Sequence, residues 1–138
     1  MNELKNLRLY IGSINLNSFN VSTLGTRNSK TGLKIEGVTS KKNDIIFISD
    51  CRIGSSNREI SKMLGMNRNC SYKGYYNSDM EHRGVMIAIK RNIYHEVTDR
   101  FSTLDQNVLL LRIKIKGVEL VLGSIYGPNE QQPEFLEV

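Results

Sequence analysis

Residues 108–126 leave this chain the least conformational freedom. Leu111, Ile113 and Ile115 alternate with Arg112, Lys114 and Lys116, Gly117 breaks the run, and residues 118–126 return with a second apolar pattern. Alternation at period two gives a strand one apolar and one charged face. A glycine between two such runs marks a hairpin. A hairpin with one apolar face is not stable alone and must bury that face against further structure. The rest of the chain supplies it. Residues 7–15 alternate, with Leu7, Leu9 and Ile11 on one side and Arg8 and Tyr10 on the other. Residues 44–49 are apolar on both faces, the pattern of a central strand. Residues 69–76 read as an edge strand, and 83–90 and 93–101 as two more. Ile60, Met63 and Leu64 stand at helical spacing before Gly65, which predicts a short helix over 57–64. The polar stretch 17–42 reads as a loop with a weak helix around 30–40. The expected fold is α/β, a strand-rich sandwich with few helices.

The length of 138 residues is that of one domain and is enough to bury a core. No apolar run reaches the length of a membrane helix, and the opening MNELKNLRLYIGS lacks the basic head and apolar centre of a signal peptide. An intracellular protein without a membrane partner is expected. Cys51 and Cys70 are too few for a disulfide scaffold and lack zinc-site spacing, so both read as reduced thiols. The net charge is +5, and the surplus is uneven: residues 27–42 and 52–73 each carry five bases and one acid. Such basic segments suit a polyanionic partner such as nucleic acid.

Three strands share one further feature. Along the first, Leu7, Leu9 and Ile11 give way to Ser13, Asn15 and Asn17 on the same face. Along the second, Ile46 and Ile48 lead to Asp50. Along the returning arm of the hairpin, Leu120 and Leu122 lead to Ser124 and Tyr126. If these ends meet, they form a polar floor of amides, a carboxylate and a phenol above an apolar core. Taken singly, Asp50, Asn15 and Asn17 are equally good turn residues, and Tyr126 before Gly-Pro-Asn equally good turn packing. Taken together they suit Mg²⁺ (or Mn²⁺), a hard cation that binds through one or two carboxylates plus phosphate oxygens and keeps several waters. Phenol and amide N–H groups can donate to a phosphate oxygen, where charge builds during phosphodiester cleavage.

The same residues resemble motifs of the endonuclease/exonuclease/phosphatase superfamily. SINLNSFN is similar to its first strand, which ends in Asn-x-Asn or Asn-x-Asp. DIIFISDCRI is similar to its second, usually followed by Gln-Glu-Thr. HRGVMIAIK resembles the next strand, and LGSIYGPNE the Tyr-x-Pro-Asn motif. Order and spacing fit over almost the whole chain, and the nearest flavour is the apurinic-type endonuclease domain of non-LTR (LINE-type) retrotransposons. The resemblance implies a DNase I-like two-sheet sandwich and a metal-dependent, DNA-nicking phosphodiesterase. Asn15 would position the scissile phosphate, Asp50 would hold the metal, Tyr126 would hydrogen-bond the phosphate, and Asn17 would support the first motif. A nuclear location follows if the substrate is chromosomal DNA.

Two departures stand out. The metal-binding position carries Asp50 where the family usually has Glu, one methylene longer. The later motifs, Gly-Asp-x-Asn, a further Asp and Ser-Asp-His, have no counterpart, and His82 and His95 match neither position of the family's general base. The chain therefore reads as one truncated domain over 1–138, the N-terminal half of the sandwich. The tail QQPEFLEV starts like a helix and stops within a turn. On this reading the partner sheet and the C-terminal half of the domain lie elsewhere, the chain alone is inactive, and the bare sheet face promotes association. Two alternatives remain: a superfamily phosphodiesterase acting on a lipid or inositol phosphate, and an inactive, phosphate-binding remnant.

Overall fold

The computed structural model describes residues 7–20, 37, 42–52, 72–77 and 84–127. Apart from Gly37, the helices expected over 30–40 and 57–64 lie outside these residues, as do His82, Cys70, the tail and most of both basic segments. Among the described residues seven strands form: β1 (Ile11–Asn20), β2 (Ile45–Arg52), β3 (Tyr72–Asn77), β4 (Gly84–Lys90), β5 (Glu96–Ser102), β6 (Val108–Ile115) and β7 (Val118–Ile125). They make two sheets, one of order β1-β2-β4-β3 and one of order β5-β6-β7.

The hairpin pairs β6 with β7 from Ile115↔Val118 to Val108↔Ile125. Its two-residue loop has φ of 51° at Lys116 and 78° at Gly117. Positive φ at both central positions is the twist-matched geometry for a tight hairpin. Glycine adopts it freely, whereas a residue with a Cβ is strained there. Gly117→Ala is expected to lower stability by about 1–2 kcal/mol, read as a fall in the urea midpoint at unchanged m-value.

The expectation that the partner sheet lies outside the chain is overturned. Ile45, Val85, Ile87 and Ile89 of the first sheet pack with Leu109, Leu111, Ile113, Ile115 and Leu122 of the second in one buried cluster. Both layers of the sandwich are present, and the apolar face predicted to be bare is covered. Alternation says that a strand has an apolar face, but not which sheet it joins. The connection 91–95 carries the chain from one sheet to the other. The central strand is as predicted: Ile45 and Ile46, on opposite faces of β2, are both fully buried. The edge strand is too, since β3 borders the first sheet.

Polar ties cross between the layers. Asn77 Nδ2 donates to Thr103 O at 2.7 Å and Val108 O at 2.9 Å, and an Arg100 guanidinium N–H donates to Tyr76 O. His95 lies just before β5 rather than inside a strand. Its Nδ1 is 2.9 Å from Ile93 O, which can only accept, so Nδ1 carries the proton. Nε2 and Tyr75 Oη share a hydrogen bond at 2.9 Å. With both ring nitrogens committed, His95 serves as a structural link.

The β5–β6 turn is organised by Asp105. Its Oδ1 accepts from Thr103 Oγ1 at 2.6 Å and from Asn107 N at 3.1 Å. The Thr103 hydroxyl is the main reason its pKa lies below the ordinary 3.8, with the Asn107 N–H adding to it. A carboxyl whose folded pKa is depressed contributes stability above its unfolded pKa, and that contribution is lost as pH falls through the folded value. Asp105→Ala should therefore be less stable than the parent at neutral pH, with a gap that narrows once pH drops below 3.8. A gap that stays constant over that range contradicts the assignment.

Candidate functional site

The β1–β2 ladder is regular from Ile11↔Ile45 to Asn15↔Ser49, then jumps to Phe19↔Cys51. The β2–β4 ladder breaks at the same level, between Ser49↔Val85 and Cys51↔Gly84, with Asp50 as the extra residue. Asp50 has φ 55°, in the left-handed region. Such bulges bend a strand and re-aim side chains, and they cluster next to active sites. A non-glycine residue held there stores about 1–2 kcal/mol of backbone strain. The strand reaches Asp50 through this break, and the residue is buried, at 5% exposure.

The faces differ from the expectation in one respect. Ser13 and Asn15 pair in register with Phe47 and Ser49, on the side of β2 that carries Ile45 toward the second sheet. Ile46 and Ile48 therefore point the other way, and simple alternation from them would carry position 50 away from the second sheet. The bulge ends that alternation after Ser49. Parity alone therefore does not carry past Ser49, because a sequence does not announce an extra residue in a ladder.

On β7, Ser124 is buried at 5% exposure. Tyr126 follows the strand end, donates its backbone N–H to Asn107 O at 2.8 Å, and packs half-buried against the core cluster. A half-open pocket of about 240 Å³ lies where β1, β2 and β7 converge, lined by Ser13, Phe47, Ser49, Gly123, Ser124 and Ile125. Asn15 is two residues beyond Ser13, Asp50 one beyond Ser49, and Tyr126 two beyond Ser124. The structure thus brings the ends of the three predicted strands to one place. The side chain of Asn17 lies outside the described residues. Ser49 escapes a reading by periodicity because it belongs to the face of Phe47 rather than that of Ile46 and Ile48. Its signal is being the one polar residue of IIFIS.

The donors suit a hard divalent cation. Among the described residues no group of three or more His, Cys, Asp or Glu side chains comes together. One buried carboxylate beside an exposed amide matches the way Mg²⁺ is held, with water and phosphate oxygens completing its shell. Among the same residues no helix is long and apolar enough to cross a membrane.

Two packed layers, one mixed and one antiparallel, make a DNase I-like sandwich, and a solved structure agrees. A truncated TDP2 of Caenorhabditis elegans superposes with a TM-score of 0.54 at 16% identity, covering 91% of this chain and 48% of that one. A second TDP2 structure from Caenorhabditis elegans gives 0.48 at 18% identity, covering 85% and 35%. ANGEL2, described as a 2',3'-cyclic phosphatase, gives 0.46 at 11% identity, covering 83% and 39%. The chain spans between a third and a half of the length of these structures. No family model and no curated protein sequence matches it. The chain shares the fold of the truncated TDP2 structure, the DNase I-like two-sheet sandwich expected from its sequence.

Proposed function

We propose that this chain is the metal- and phosphate-binding portion of a Mg²⁺-dependent phosphodiesterase of that superfamily that nicks DNA, of the non-LTR retrotransposon type. The observation that carries the reading is the paired break in the ladders at Asn15 and Asp50, level with the convergence of β1, β2 and β7. Asn15 orients a non-bridging phosphate oxygen through its amide. The Asp50 carboxylate would hold the cation, carried at the left-handed bulge that ends the regular ladder. The Tyr126 phenol donates to a second phosphate oxygen. When bound, Mg²⁺ supplies Lewis-acid stabilisation of the charge that builds on the phosphate oxygens. Fixed donors aimed at that charge are worth more than mobile water, since they need no reorganisation. His95 is tied to Tyr75 and Ile93 within the fold and is assigned no part in the reaction.

The DNA part of the reading draws on the basic segments 27–42 and 52–73, the Tyr-Gly-Pro-Asn motif and a net charge of +5. A nuclear location goes with it. The test is binding of a fluorescent DNA duplex by anisotropy. Affinity should fall linearly with salt on a log–log plot, with a slope of about −0.9 per phosphate neutralised. Millimolar Mg²⁺ at constant ionic strength should strengthen binding by the parent but not by Asp50→Asn. Binding indifferent to salt sinks the DNA reading, and equal Mg²⁺ responses sink the metal site.

A further inference from the structure

The pocket beneath the strand ends contains a buried hydroxyl that no described residue bonds. Ser124 is 5% exposed, and its hydroxyl makes no hydrogen bond with any described residue. Buried hydroxyls are nearly always paired, and leaving one unpaired is costly, so each exception calls for an explanation. Ser13 and Ser49 line the same cavity from the other sheet, Phe47 supplies an aromatic wall, and no charged side chain lines it. Its volume of about 240 Å³ exceeds many-fold the ~10–15 Å³ of free space that one water needs.

We propose that this cavity is a subsite for the pentose of the nucleotide next to the bound phosphodiester. The inference rests on the phosphodiester reading above. A phosphate dianion would find no cation in the lining. A sugar ring has C–H faces that suit an aromatic wall and oxygens that suit serines, which both donate and accept. Its location fits as well. A pentose is bonded directly to the phosphate, and the cavity begins one or two residues below the groups assigned to that phosphate. Ser124 would position the sugar and, through it, the phosphodiester.

The test is an amide NMR titration of the full chain in Mg²⁺ with two probes, dimethyl phosphate and the dinucleotide thymidylyl-thymidine. Both should shift Asn15 and Asp50. Only the dinucleotide should also shift Ser49, Gly123 and Ser124. Ser124→Ala should weaken the dinucleotide about five-fold, the worth of one hydrogen bond near 1 kcal/mol, and leave dimethyl phosphate unchanged. Ser49→Ala is the second variant, expected to act in the same direction if Ser124→Ala fails to fold. The subsite is overturned if both probes shift the same residues, which would leave solvent as the occupant, or if folded serine variants bind the dinucleotide like the parent. If neither probe moves Asn15 or Asp50, the phosphodiester reading itself fails, and the subsite falls with it.

Discussion

Asp50→Asn should reduce divalent-cation affinity by on the order of a hundredfold, about 2.7 kcal/mol, and leave the fold intact. Asp50 is the carboxylate at the break in both ladders, so on the proposed reading removing its charge takes away the anionic ligand around which water and phosphate would assemble. Asparagine has the same shape and tolerates the left-handed backbone as readily as aspartate, so the bulge survives. Asp50→Gly provides the complementary variant. It removes the ligand entirely, but glycine adopts φ 55° without the ~1–2 kcal/mol strain of an L-residue. Relief of that strain offsets the absence of the aspartate side chain, and stability should stay within about 1 kcal/mol of the parent. Calorimetric Mg²⁺ titration and urea unfolding of the same samples separate the two effects. If Asp50 were only a turn former, both variants would bind cation like the parent.

The largest loss of stability is expected for Leu111→Ala, about 3 kcal/mol. Leu111 is fully buried on β6, the middle strand of the second sheet, and belongs to the cluster joining the two layers. Truncation removes its transfer free energy and leaves a cavity that two hydrogen-bonded sheets cannot readily close. For a domain of this size that is a large part of a total near 5–15 kcal/mol. Val121 on neighbouring β7 is 65% exposed, and Val121→Ala should change stability by less than about 0.5 kcal/mol. Denaturant unfolding of both variants gives the comparison. A Leu111→Ala protein as stable as Val121→Ala would mean that the two sheets do not pack through this cluster.

Much of this fold is legible because its strands carry strong local patterns. The β6–β7 hairpin follows from Leu111, Ile113 and Ile115 against Arg112 and Lys114, with Gly117 at the turn. The central place of β2 follows from apolar residues on both faces. The allotment of strands to sheets is not legible, because Ile87 and Leu111 look alike in sequence yet stand in opposite layers of one cluster. The alternation that opens at Leu7 also overstates β1, for a local reason. Tyr10 gives its N–H to Asp44 Oδ2 at 2.8 Å, and ladder pairing begins only at Ile11. At the site, Asn15 is visible as the polar end of an apolar face. Asp50 is visible as a position but not as a bulge, since a left-handed aspartate leaves no trace in hydrophobic periodicity. The serine-lined cavity is hidden for a related reason. It depends on which faces meet, and alternation in one strand says nothing of its neighbour.

Paramagnetic broadening by Mn²⁺ would locate the cation residue by residue. At substoichiometric Mn²⁺, amide NMR signals of Asn15, Ser49, Asp50 and Tyr126 should broaden first, while Glu96 and Lys116, on the 96–102 strand and in the hairpin loop, stay sharp. Excess Mg²⁺ should restore the broadened signals, and Asp50→Asn should abolish the effect. Broadening that begins at exposed carboxylates such as Glu119, or that persists in Asp50→Asn, would contradict a metal site at the ends of β1, β2 and β7.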